Sequence, residues 1–324
     1  MSRTGMGHDG GLFAPDALIR HVQAHHVVGQ TYGQRALVLG ATNPVPYIGT
    51  SSSTLAKERP FTRLAVTAKA FETVILGTRA DAERVLARVH HMHTRVRGTL
   101  PEQAGLHPAG TPYDAFDPEL MLWTMGVLAD SSRRSFEAFV RPLDTDERDA
   151  LWQDWITFGT LFGMPRDVAP RTAADFDDWM AEHLTSDRFH VTPEARAVGR
   201  AIVTAMPVPA RMRPGVRATN FTVIGLLPPR VRDAFGLGWG RGHQRVHDAL
   251  AASLWLSSRT LPARVRLGTN ARLLDIVIRS EAEVVARGGR TMPTLEAPTL
   301  EAPTLEAPTL EAPTLEAPTL DAPP

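Results

Sequence analysis

Along most of this chain hydrophobic residues recur every three to four positions, the repeat of an amphipathic helix rather than the alternation of a strand. Asp117–Pro118 opens a run from Glu119 to Phe139 in which Leu120, Trp123, Val127 and Leu128 recur at helical spacing. Asp144 caps a second run through Leu161, stopped by Gly163 and Pro165. Thr172 caps a third around Phe176, Trp179 and Met180, and Thr192–Pro193 starts a fourth that reaches Met206 before Pro207. Segments 216–227, 229–235 and 244–257 follow the same pattern. Ser, Thr or Asp at the starts, proline just inside, and glycine or proline beyond the ends are the punctuation of helices. No convincing run of alternating strand residues is found. The expected fold class is all-α, an irregular single-domain helical bundle.

The pattern changes at Pro293, where Pro-Thr-Leu-Glu-Ala repeats five times before a final Pro-Thr-Leu-Asp-Ala and Pro-Pro. A proline every fifth residue forbids a continuous helix, and one leucine per repeat cannot form a core. Residues 291–324 are therefore expected to be a disordered tail. Residues 1–30 read as an N-terminal extension and 31–290 as the helical domain, long enough to bury a substantial core.

Composition narrows the chemistry. The chain has no cysteine, which removes disulfides, thiolate metal sites and iron–sulfur clusters. Six acidic residues and no Lys or Arg lie in the tail, so the remainder carries 35 basic against 29 acidic residues. That excess is scattered, and nucleic acid is not an expected partner. Met1 to Pro15 is small, polar and glycine-rich, without the apolar stretch of a secretory signal. No segment approaches the ~18 uninterrupted apolar residues of a membrane span, so the chain reads as cytoplasmic.

The most informative segment is a predicted helix from Thr78 to Arg97, with Thr78 as cap, Asp81 and Glu83 in the first turn, and Gly98 as stop. Ala82, Val85, Leu86, Val89 and Val96 share one face, and His93 falls in the middle of that stripe. His90 lies on its flank and His91 on the polar side; Arg97 follows His93 by one turn. A preceding helix, Pro60 to Ile75, is expected to turn Leu64, Thr67, Phe71 and Val74 to the core, with Arg63 four residues before Thr67 on the same face. A buried guanidinium needs an anion. An interior histidine beside an arginine and a threonine makes a polar centre in an apolar shell; a haem pocket and a structural ion pair both fit that description.

Other constellations carry less. His243 and His247 have metal-ligand spacing but no third ligand nearby in sequence. Asp175, Asp177 and Asp178 read as acidic residues of a helix start. Gly236 to Gly242 is glycine-rich but follows no strand, so it reads as a flexible turn rather than a dinucleotide loop.

From Arg35 to Leu184 the sequence resembles the MpaB / rubber-oxygenase (latex clearing protein) catalytic-domain family of haem-b proteins. The residues that carry the resemblance are Arg35-Ala-Leu-Val-Leu, Asn43-Pro-Val, Arg63-Leu-Ala-Val-Thr67, Gly77 and His93-Thr-Arg-Val-Arg-Gly98. Tyr113-Asp-Ala-Phe-Asp-Pro118, Leu122-Trp123, Arg141-Pro-Leu143, Glu147-Arg148, Gly163-Met-Pro165 and Pro170 continue it in order. The resemblance implies an all-α fold around a buried pocket for non-covalent haem b. It implies His93 as proximal iron ligand, Arg63, Thr67 and Arg97 as pocket residues, and Arg63 and Thr67 as the catalytic pair. It further implies dioxygen and a hydrophobic, isoprenoid-type substrate, attacked at a carbon–carbon double bond. Asn43 stands where many relatives have histidine, and Ser51–Ser53 where they have a His-Ser pair. That departure keeps open a second expectation, a haem-binding or haem-sensing protein without turnover.

Overall fold

The computed structural model describes residues 10–51 and 59–292. The tail expected from Pro293 onward lies outside the described residues, as do Ser52, Ser53 and the first nine positions. The helices run α1 (Leu18–Gln23), α2 (His26–Gly40), α3 (Pro44–Ser51), α4 (Pro60–Leu76) and α5 (Arg79–His93). After the strands β1 (Arg97–Thr99) and β2 (Pro112–Asp114) come α6 (Pro118–Phe139), α7 (Thr145–Leu161), α8 (Ala173–Thr185) and α9 (Pro193–Ile202). The described part closes with α10 (Arg213–Leu226), α11 (Pro229–Ala234), α12 (Arg241–Thr260), α13 (Ala263–Arg266) and α14 (Ala271–Ala286). The fold is helical as expected.

The predicted helix starts are made by the predicted side chains. The Asp117 carboxylate accepts from the amides of Glu119 and Leu120, and Asp144 and Thr172 each form a reciprocal capping box, with Glu147 and Asp175. Some ends differ. The fourth run stops at Ile202 rather than Met206. One antiparallel strand pair, β1 with β2, was not expected, because three-residue strands are too short to show alternation. Gly98 sits opposite Tyr113 in it, and a Cβ at Gly98 would lie 2.7 Å from the Tyr113 hydroxyl oxygen. α2 runs across the expected boundary at residue 30, and Phe13, Ile19 and Val22 are buried in the main core.

α2 and α6 pack along their lengths and form the spine of the bundle. Trp155, Phe136, Leu39 and Leu151 fill the core around them. Through that apolar interior passes one charged chain. Arg35 on α2 donates to the Asp130 carboxylate on α6 at 2.6 Å, to Ser131 Oγ at 2.9 Å and to the Leu226 carbonyl at 3.0 Å. Arg133, one turn after Asp130, pairs with Asp177 on α8. Burial alone would raise the Asp130 carboxyl, but Arg35, Arg134 and Arg133 together hold it below the usual carboxylate range.

A buried ion pair stripped of one partner leaves an uncompensated charge, at a cost of about 3–5 kcal/mol. Asp130→Asn is therefore expected to lose about 3 kcal/mol or more in urea melts at pH 7. Because the folded-state pKa is depressed, the wild-type contribution is present above the ordinary carboxylate range and fades as pH falls through the lower folded value. The gap between wild type and variant should therefore narrow in acid; a constant gap would show that the carboxylate charge is not what Arg35 requires.

Candidate functional site

The site begins with α4, a helix whose own sequence supplies no cap. Arg59 precedes it and its side chain makes no capping hydrogen bond. The fully buried Glu281 of α14 does that work, accepting from Phe61 N at 3.1 Å and Thr62 N at 2.5 Å, while Thr291 Oγ1 donates to the same carboxylate at 2.6 Å. At the other end the buried Arg20 of α1 donates to the Ile75 and Leu76 carbonyls, at 3.2 and 3.5 Å. An anion at the N-terminus and a cation at the C-terminus both oppose the helix dipole. The site helix is thus fixed at both ends from outside itself.

Arg63 lies in the first turn after that clamp. It is half-buried, and among the described residues no carboxylate pairs with it and no acceptor takes a hydrogen bond from its guanidinium. Burial lowers its pKa, with Tyr47 acting in the opposite sense. Tyr47, on α3, is itself half-buried, and burial followed by the charge of Glu194 raises its phenol pKa. Thr67, one turn on, is exposed rather than in the core, and its hydroxyl donates to the Arg63 carbonyl at 3.0 Å. The apolar stripe of α4 therefore runs through Leu64, Phe71 and Val74, and Thr67 lies off it on the open side.

Two residues separate α4 from α5, and the two helices pack against each other, so the start of α4 and the end of α5 lie at the same end of a helical hairpin. His93 is the last residue of α5, four positions short of the predicted end at Arg97. The chain leaves the helix there because Val96 turns back on the His93 carbonyl and Arg97 enters β1. His93 is half-buried, and its Nδ1 is buried without a partner among the described residues. Burial, then the neighbouring His90, lowers its pKa, so the ring is neutral at pH 7. Phe116, in the loop before α6, packs edge-on against His93 at 5.8 Å and lies 4.9 Å from His90. His91 is exposed and meets Arg95 at 2.9 Å, on the opposite side as expected. Arg97 is exposed and donates to the Thr94 carbonyl at 3.1 Å.

The structure brings Arg63 and His93 to one end of the hairpin, and adds Tyr47 and Phe116, which no periodic pattern could single out because both sit outside long helices. Asn43 caps α3, its side-chain oxygen accepting from Val45 N at 3.2 Å. His243 and His247 do not converge on a common point. His247 is buried against Gly225, while His243 Nδ1 accepts from Gly240 N at 3.2 Å. Among the described residues no group of three His, Cys, Asp or Glu could hold a metal ion. The chain from Gly236 to Gly240 is a turn between α11 and α12, opened by Gly236 at φ +63°.

Comparison with known proteins agrees with this architecture. The family model described as the catalytic domain of the ER-bound oxygenase mpaB/B' and rubber oxygenase matches residues 20–256, and the chain belongs to that family. Two relatives are the uncharacterized protein Mb2261 of Mycobacterium bovis and the uncharacterized protein Rv2237 of Mycobacterium tuberculosis. Each is 28% identical over 207 residues, which is 64% of this chain and 78% of the relative. No solved structure matches. Among the described residues no helix is long and apolar enough to cross a membrane.

The clamp on α4 is open to direct test. Glu281→Gln removes the charge and weakens the capping bonds, which to a charged acceptor contribute about 1.5–3 kcal/mol each. Hydrogen exchange should accelerate at residues 61–64 while the α2–α6 spine stays protected. Unchanged exchange at those amides would show that α4 needs no external cap.

Proposed function

Taking membership of that family as premise, we propose that this chain is a haem-b-dependent oxygenase in which His93 is the proximal iron ligand. Family membership supports an oxygenase-type activity, an oxidoreductase acting on an organic substrate with dioxygen. The observation that carries the finer reading is the pair of uncompensated groups at one end of the α4–α5 hairpin. A neutral histidine offers a buried ring nitrogen with no protein partner, and a half-buried guanidinium has no protein anion.

These residues fit haem b better than a bare metal ion. One histidine without two further ligands holds a free ion poorly, whereas a macrocycle brings four nitrogens of its own and two carboxylates. Haem b, when bound, would supply an iron able to activate dioxygen, with His93 as the residue that would hold it. His93 would hold it, and Phe116, packed edge-on against the imidazole, would restrict the orientation of that ring. Arg63 binds a propionate or a developing oxygen anion, and Tyr47 lies near enough to perturb that guanidinium. Arg97 offers a second cation at the exposed rim. Thr67 must release its bond to the Arg63 carbonyl before its hydroxyl can serve a substrate. The substrate is apolar and of isoprenoid type, cleaved at a carbon–carbon double bond.

A second reading, haem binding without turnover, is favoured by one observation. The Asn43 side chain is engaged in capping α3 and the Thr67 hydroxyl is engaged along its own helix. Both readings keep His93 as ligand.

Purified from haem-supplied cells, His93→Ala is expected to lose the Soret band while His91→Ala keeps it; a full band in His93→Ala would remove the ligand assignment. Arg63→Ala should weaken haem retention if the guanidinium holds a propionate, and spare retention but lower oxygen uptake if it acts on oxygen. Thr67→Val should keep haem in either case and lose alkene-dependent uptake only in the enzyme. Normal uptake by the Arg63→Ala, Thr67→Val double variant would end the proposed roles of both residues.

A further inference from the structure

A second feature lies away from Arg63 and His93. α12 spans twenty residues, yet its only buried side chain is His247. The side of α12 that faces α10 and the start of α2 carries Leu250, Leu254, Ser257 and Ser258, spaced as one helical stripe and only half-buried. The helix does not close on its neighbours. A cleft of about 280 Å³ remains between them, walled also by Val27, Leu261 and Val265. Its floor is built: His25, Thr31 and Thr222 are all buried, with Thr31 Oγ1 donating to the Val27 carbonyl at 2.7 Å and His25 Nδ1 held at 2.9 Å from the His21 carbonyl. Leucines lining an open cleft in a close-packed domain forfeit the contacts that packing would supply, and an apolar guest restores them.

The mouth of the cleft carries one guanidinium. Arg266 lines it, and its Nε donates to the Leu261 carbonyl at 2.8 Å. Among the described residues no carboxylate pairs with its guanidinium, whereas the nearby Arg141 is held bidentately by Glu147 at 2.6 and 2.6 Å. Of the five arginines between residues 241 and 266, only Arg266 lines the cleft. On the cleft floor, burial first, then His21, Arg266 and Arg141, hold His25 at a pKa of about 4, so it adds no competing cation.

We propose that this cleft binds an anionic amphiphile, a medium-chain carboxylate whose alkyl chain lies against Leu250 and Leu254 and whose head group pairs with Arg266. An apolar wall and one unpaired guanidinium at its mouth complement the two ends of such a molecule. None of these residues belongs to the site around His93, so the proposal stands apart from the haem reading.

Equilibrium dialysis of the full chain with radiolabelled decanoate tests it, with decan-1-ol as the uncharged comparator and phosphatidylglycerol vesicles as the membrane alternative. Decanoate is expected to bind in solution. Arg266→Gln should weaken decanoate about tenfold, the equivalent of 1.4 kcal/mol, and leave decanol unchanged. Leu254→Trp fills the cleft and should weaken both ligands, with Ser257→Leu as an independent occluding variant; circular dichroism and melting temperature report that each variant is folded. Equal decanoate affinity in wild type and Arg266→Gln would overturn the proposal. So would binding that survives both occluding variants, no binding at millimolar decanoate, or binding to vesicles alone.

Discussion

The position of the candidate site rests on the two buried charges that hold the ends of α4. A helix leaves four amides and four carbonyls without internal partners, and those of α4 meet Glu281 at one end and Arg20 at the other. Both charges are taken out of water, which is costly unless their hydrogen-bonding capacity is used. Both oxygens of Glu281 and two nitrogens of Arg20 are spent on the backbone of the one helix that presents Arg63. Glu281 comes from the last described helix and Arg20 from the first, so the chain must be closed almost end to end before the site helix is secured. Residues far from one another in sequence therefore decide where the guanidinium sits.

The same logic separates the charges that build the fold from those left for chemistry. Asp130 is surrounded by Arg35, Arg133 and Arg134, and Arg133 is shared with Asp177. Those groups pair with one another across α2, α6 and α8 and set the register of the three helices in an apolar interior. Arg63 and His93 are half-buried yet have no such partners among the described residues. We propose that this guanidinium and this neutral imidazole, brought to one end of a clamped hairpin, are placed for a ligand.

Much of this was legible in the sequence where local physics decides. The caps Asp117, Asp144 and Thr172 form the hydrogen bonds their positions predict, and the helix starts follow. His91 and His93 separate to opposite sides as their spacing requires. What depends on distant partners was not legible. α5 stops at His93 because the following residues pair with β2, which lies beyond an intervening loop, and that pairing moves Arg97 off the helix. Thr67 is exposed although its spacing matches the core stripe, since periodicity gives an angle and not the extent of the neighbouring surface. Tyr47 and Phe116 carry no pattern, and Glu281 reads in sequence as an ordinary acid on an amphipathic helix. Its role exists only once α4 is packed beside it.

We propose that His93 and Arg63 bind haem b. The most direct measurement is a pyridine haemochrome assay on the wild-type chain purified from cells supplied with a haem precursor. Haem b in stoichiometric amount with the protein is the predicted result. Protein that is folded by circular dichroism yet carries no haem, and takes up none when hemin is added, would contradict it.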